Sequence, residues 1–142
     1  MIAVRVSAYE QWNGPKSQDQ QRKEADAWLQ KIPSRARPAV FIAKHSSEVI
    51  GYLWGFERSP GTFYISHLGV SQRCKGLGIG RGLVKASEAL ARKRGYHLLS
   101  PSTYNRFAGM LILLVSEGFG VVGTTKPEGE AEVRIELEKQ VS

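Results

Sequence analysis

Three apolar runs follow one another almost without pause: AVFIAKH (39–45), VIGYLWGFE (49–57) and TFYISHLGV (62–70). Their β-branched and aromatic content marks them as consecutive strands. The breaks between them, SSE (46–48) and SPG (59–61), are turns, and the first pair of runs reads as a hairpin. A chain committed to three adjacent strands must then cover the sheet they form. The segment directly after them does so by turning into a helix.

That segment, SQRCKGLGIGRGLV (71–84), has glycine at every second position from Gly76 to Gly82, with Arg73, Lys75, Arg81 and Lys85 in or beside it. The following stretch to Gly95 has helical periodicity through Leu83, Val84, Ala86, Leu90 and Ala91. A strand, a glycine-rich turn and a helix together suit an anion. Glycine lets the backbone approach without a Cβ in the way, and the helix N-terminus presents unpaired N–H groups. The spacing is neither that of a Walker A loop nor G-x-G-x-x-G, which excludes both common nucleotide fingerprints.

The remaining elements are read the same way. IAVRVS (2–7) alternates as a strand, and residues 17–32 form an amphipathic helix with Ser17 as its N-cap. YHLLS (96–100) is a strand. Residues 105–117 form a second helix, apolar enough to be buried on more than one side. GFGVVGTT (118–125) and EVRIELEK (132–139) close the chain as two strands. The order β, α, β, β, β, α, β, α, β, β gives an α/β fold: one domain over 1–142, with a mixed, mostly antiparallel sheet of about six or seven strands flanked by helices.

Charge then narrows the partners. The chain carries 20 Lys/Arg against 13 Asp/Glu, and the excess lies upstream, 17 against 7 in residues 1–110 but 3 against 6 in 111–142. Anionic partners follow: a phosphate-bearing cofactor or an acceptor that carries negative charge. One cysteine, Cys74, and three scattered histidines exclude a disulfide framework and argue against a metal site. Cys74 reads as an exposed loop residue. No apolar run reaches the roughly 20 residues that span a bilayer, and no signal peptide is recognisable, so a cytoplasmic location is expected.

LGVSQRCKGLGIGRGLV resembles the acetyl-CoA-binding segment of the GNAT superfamily of N-acyltransferases, and NRFAGMLILLVSEGF with its Gly118–Phe119 exit resembles the helix that follows that family's fifth strand. Two registers fit the loop. Arg73-x-x-Gly76-x-Gly78 matches literally, whereas Lys75-x-x-Gly78-x-Gly80 also sets Val70, Leu83 and Val84 correctly, with Lys where Gln or Arg is usual.

The resemblance implies a GNAT-like domain that transfers acetyl from acetyl-CoA to an amine of a small molecule or peptide, without a metal. By resemblance, Leu68, Gly69 and Val70 meet the pantetheine arm. Lys75, Gly76, Leu77, Gly78, Ile79, Gly80 and Arg81 wrap the pyrophosphate, and Asn105 touches the cofactor arm. Counted back from Gly118, the family's usual Asn falls on Phe107 and its usual Tyr on Leu114.

The catalytic acid and base are therefore sought elsewhere. Tyr104, between strand and helix, is the candidate acid. The position where members carry a base is Ser66. Flat alternation puts Ser66, Leu68 and Val70 on one face and Ile65, His67 and Gly69 on the other; a bulge could redirect His67. His67 and Glu57 are the candidate bases. Tyr52, Trp54 and Trp12 suit an acceptor pocket or the core. Two competing readings are a CoA-binding regulatory domain without turnover and, ranked last, a basic nucleic-acid-binding module. Neither acceptor nor acyl length is readable, and a homodimer is left open.

Overall fold

A computed structural model describes residues 5–9 (backbone only), 37–74, 76–126, 128–129 and 132–141, without the Arg73 side chain. The helix expected over 17–32, Trp12 and Lys75 lie outside these residues. The described elements are β1 (Arg5–Tyr9), β2 (Ala39–His45), β3 (Glu48–Ser59), β4 (Thr62–Val70), α1 (Ile79–Lys93), β5 (Leu98–Tyr104), α2 (Ala108–Ser116), β6 (Gly120–Thr125) and β7 (Arg134–Gln140). They build one seven-stranded sheet in the order β1-β2-β3-β4-β5-β7-β6. Every pairing is antiparallel except β4 with β5. None of the described helices is long and apolar enough to cross a membrane.

Both helices are stopped by the same device. At the end of α1, Gly95 takes φ 80°, its N–H bonds to the Arg92 carbonyl, and the Tyr96 N–H bonds to that of Ala91. At the end of α2, Gly118 takes φ 95°, and the N–H groups of Gly118 and Phe119 bond to the carbonyls of Val115 and Leu114. This is the Schellman arrangement, and Ala91, Tyr96, Leu114 and Phe119 are all buried in one core. The Gly118–Phe119 pair is thus a helix stop and a core anchor.

α1 lies directly on the sheet. Leu83, Val84 and Ala91 are buried, and a Cβ added to Gly51 would meet Ile79 at 3.0 Å and Leu83 at 3.2 Å. A separate cluster of Val40, Ile42, Tyr52 and Trp54 occupies the opposite face of β2–β3.

Three readings need correction. β5 runs on to Tyr104 instead of ending at Ser100, with Pro101 at the last registered position opposite Ile65. Proline is tolerated there because it need not donate to the ladder beyond. α2 is shorter than 105–117 and is not buried on several sides. Only Leu114 is fully buried, while Ile112 and Val115 are 68% and 51% exposed. Cys74 is not an exposed loop residue: the 3₁₀ turn Gln72–Cys74, closed by the Cys74 N–H to the Ser71 carbonyl, tucks it into the core.

Candidate active site

The site begins where two parallel strands part. β4 and β5 are in register from Thr62–Leu98 to Ile65–Pro101 and no further, although β4 continues to Val70 and β5 to Tyr104. Beyond Ile65 the edge of β4 that faces away from β3 has no ladder partner among the described residues. Backbone groups there are available to a ligand. Just inside the fork, the Tyr64 hydroxyl and Ser102 Oγ are 2.7 Å apart and tie the strands together.

A bulge marks the same point. Trp54 is opposite His67 and Gly55 is opposite Ile65, so Ser66 is the extra residue in β4. The insertion shifts the alternation expected for a flat strand. Phe63, Ile65, Leu68 and Val70 now share the helix-covered face. Tyr64 and His67 share the other, where Tyr64 meets Phe56 edge-on at 5.6 Å and His67 stacks on Trp54 at 5.0 Å and 8°. Gly69 also faces that side, and a Cβ on it would collide with the Tyr52 ring at 2.6 Å. Ser66 Oγ and His67 Nδ1 are 3.0 Å apart.

The fork opens into a cavity of about 1050 Å³ lined by residues from both faces of the sheet. On the helix side its wall includes Val84, Met110, Leu113 and Leu114; on the other it includes Ser66, His67, Ser102 and Tyr104. Its charged side chains, among the described residues, are Arg81 and Arg106, and no carboxylate lines it.

The glycine turn forms one lip. Gly76 and Gly78 take φ 83° and 81°, and a Cβ on either would find nothing within 4 Å. The turn therefore uses glycine for its left-handed backbone and for open space on its outer side. α1 starts at Ile79 with no acidic residue in its first turn and no side-chain cap. Its N–H groups and positive end face the lip. Gly80 has a different role: it lets Leu113 come to within 3.1 Å of where a Cβ would be. Arg81 is held at the lip by Glu117 at 3.3 Å and by Ser116 Oγ at 3.2 Å.

Most of the expected site residues converge here. Leu68, Gly69, Val70, Gly76, Gly78, Ile79, Gly80, Arg81, His67 and Tyr104 all line the cavity. Leu77 does not, and its side chain is 54% exposed. Asn105 lies outside it and braces β5 against β7: its N–H bonds to the Val133 carbonyl, and its Oδ1 accepts from the Val133 N–H. Glu57 also lies outside, accepting a 3.3 Å bond from the Tyr96 hydroxyl beyond the closed end of the fork. Burial pushes the Tyr96 phenol up, and nearby Arg37 only partly offsets it.

Tyr104 packs edge-on against Phe107, with the Arg134 guanidinium 5.8 Å above its ring. A hydrogen bond with Tyr104 holds Arg134 above the usual arginine range, against the opposing effect of burial. Ser102 and Thr103 are lining residues that the sequence did not single out, and Cys74, read there as an exposed loop residue, also lines the cavity. The bulge had one available signal, Gly55 inside an otherwise apolar strand.

Comparison with known proteins agrees with this geometry. No curated protein sequence matches the chain. Among solved structures, the chain resembles an IAA acetyltransferase from Bacillus cereus, with a TM-score of 0.75 and 19% identity over 97% of this chain and 99% of that one. It also resembles a GNAT family acetyltransferase from Elizabethkingia anophelis with acetyl-CoA bound (TM-score 0.73, 20% identity, 96% and 97% covered). A third is the ribosomal-protein-S18-alanine N-acetyltransferase of Escherichia coli (TM-score 0.75, 15% identity, 99% and 95% covered). Residues 5–108 match the acetyltransferase (GNAT) family. The chain belongs to that family and is an acetyl-CoA-dependent acetyltransferase.

Proposed function

We propose that the protein transfers the acetyl group of acetyl-CoA directly to the amine of an acceptor while both are bound. The observation that carries this reading is the cavity at the fork, lined by side chains from both faces of the sheet. A donor held along the helix side and an acceptor arriving from the His67 side can meet without a carrier residue.

The residues fit the donor. The Gly76–Gly78 turn, with its left-handed glycines, and the uncapped first turn of α1 form a cradle for phosphate, and Arg81 adds a cation at its lip. The open edge of β4 through Leu68, Gly69 and Val70 offers amide groups to the pantetheine arm, and one N–H there can polarise the thioester carbonyl. Acetyl-CoA supplies an activated acyl group. The chain orients it, excludes water and moves protons.

His67 is the base on this reading, because it lines the cavity on the acceptor side and an imidazole titrates near neutrality. Tyr104 is the group on that side able to give a proton to the departing sulfur. Leu114, buried and apolar, cannot. Glu57 and Asn105 support the sheet. The acceptor class that suits Arg106, in a cavity with no carboxylate among its described lining residues, is an amine bearing negative charge.

Calorimetric titration with acetyl-CoA, with ATP as comparison, followed by free-thiol release over a panel of amines, tests the proposal. Saturable binding at one per chain is expected. Gly78→Val should weaken it at least tenfold, since a β-branched residue is strained at φ 81° and would shift the N–H groups of the turn. Thiol should appear only when an amine is added. Binding without amine-dependent thiol release would leave a CoA-binding regulatory domain; absence of binding would overturn the reading altogether.

A further inference from the structure

Two charged residues stand at the wrong ends of their helices, and they are paired with each other. Arg81 lies in the first turn of α1, where the helix dipole is positive and a cation is disfavoured. Glu117 is the C-cap of α2, where the dipole is negative and an anion is disfavoured. Neither placement serves its own helix. Together they join the start of one helix to the end of the other: Arg81 Nη1 is 3.3 Å from Glu117 Oε1, and Arg81 Nη2 donates to Ser116 Oγ at 3.2 Å. The Ser116 hydroxyl gives its own proton to the Leu113 carbonyl at 2.7 Å, which leaves its lone pairs for the guanidinium. Departures from a local rule at two helix ends beside one cavity point to the site rather than to the helices.

The pair also has a direction. Glu117 is turned inward: its side chain is 14% exposed, its Oε1 is buried, and it does not line the cavity. Arg81 is turned outward, with its side chain 46% exposed, and lines the cavity three residues after Gly78. The ion pair is therefore a dipole whose positive end meets the lip. Moving the guanidinium away would leave a buried carboxylate oxygen without its cation, so Arg81 stays where the pair holds it. Lys139 is no substitute, because its ammonium donates to the Glu117 backbone carbonyl and pairs with Glu88.

We infer that Glu117 is a positioning residue of the donor site: it fixes the Arg81 guanidinium at the lip so that the remaining N–H groups receive a phosphate of acetyl-CoA. This inference rests on the donor cradle proposed above. An unheld arginine must be immobilised when the anion arrives, and ordering one such side chain weakens binding about twofold to tenfold. Here the end of α2 orders it beforehand.

The test is calorimetric titration with acetyl-CoA of the wild type, Glu117→Gln, Arg81→Ala and the double variant, with urea midpoints to verify that each is folded. Glu117→Gln keeps the side chain's shape and should raise the acetyl-CoA Kd about fivefold. With an amine that supports turnover, KM for acetyl-CoA should rise by the same factor while kcat stays within about twofold. On the Arg81→Ala background, Glu117→Gln should add nothing. Ser116→Ala, at an exposed position, removes the second hold and should weaken binding about threefold; it decides the matter should Glu117→Gln not fold. Glu117→Gln binding as tightly as the wild type, or more tightly, overturns the inference, since the carboxylate would then be idle or would compete with the donor for Arg81. An equal loss on the Arg81→Ala background overturns it as well, because Glu117 would then act without Arg81. The binding cycle needs no turnover. A wild type that binds no acetyl-CoA counts against the donor cradle itself, whereas a failed cycle in a wild type that binds counts against Glu117 alone.

Discussion

Gly55 decides whether the reactive edge of β4 exists in this form. At the bulge the Tyr64 carbonyl presses toward Gly55, so an added Cβ would overlap that backbone oxygen and meet Phe63 at 2.9 Å. Neither neighbour can yield, one being backbone and the other a buried ring. Gly55→Ala should cost about 3 kcal/mol in urea unfolding, and it should depress kcat further by disturbing Ser66 and His67. Gly109, in the first turn of α2, is the control. Its Cβ would meet nothing within 4 Å and its φ is not positive, so Gly109→Ala should stabilise by about 0.5–1 kcal/mol. Two glycines that look alike in the sequence thus differ in sign. Much of the cavity lining was legible because a glycine turn between strand and helix has few physical uses. The partnership of Ser66 with His67 was not, because period-2 alternation carries no information about an extra residue.

At the scale of elements, legibility followed the strength of the end signals. The periodicity predicts a helix over 80–95, and α1 runs Ile79–Lys93, since Gly78 and Gly95 bracket it with left-handed backbone at either end. α2 was read as 105–117 and runs Ala108–Ser116. Its stop, Gly118, is visible in the sequence, but its start has no capping side chain, and Asn105 is spent bracing β5 against β7. The same helix misled on burial because apolar composition does not say which face has a partner. Ile112, at 68% exposure, separates the two possibilities. A helix buried all round would lose several kcal/mol on Ile112→Glu. With this face in solvent, the variant should unfold within about 0.5 kcal/mol of the wild type, read as the urea midpoint at an unchanged m-value.

The whole molecule has a seam. β1–β4 and β5–β7–β6 meet along the sheet only from Thr62 to Ile65, because the fork takes the rest of the shared edge. A site that opens the sheet must be compensated elsewhere, and α1 spans the gap. Its Glu88, 7% exposed, pairs with Lys139 of β7 at 2.8 Å and with Arg92 at 2.7 Å. Lys139 also donates to the Glu117 carbonyl at the end of α2, and Arg92 to the Val141 carbonyl after β7. One carboxylate therefore joins α1, α2 and the second half of the sheet. Burial alone would raise the Glu88 pKa, but Lys139 and Arg92 together more than offset it and hold it below the ordinary glutamate value. A depressed folded-state pKa contributes stability that is fully present above the unfolded value, about 4.3, and is lost as pH falls through the folded one. Glu88→Gln should accordingly destabilise the protein by about 2 kcal/mol at pH 7, and the gap from wild type should close as pH falls through the depressed folded-state value of Glu88, where both chains become neutral at this position. Thermal unfolding at a series of pH values checks this. A gap of constant size down to pH 3 would mean that the side chain's packing, rather than its charge, holds the two halves together across the seam.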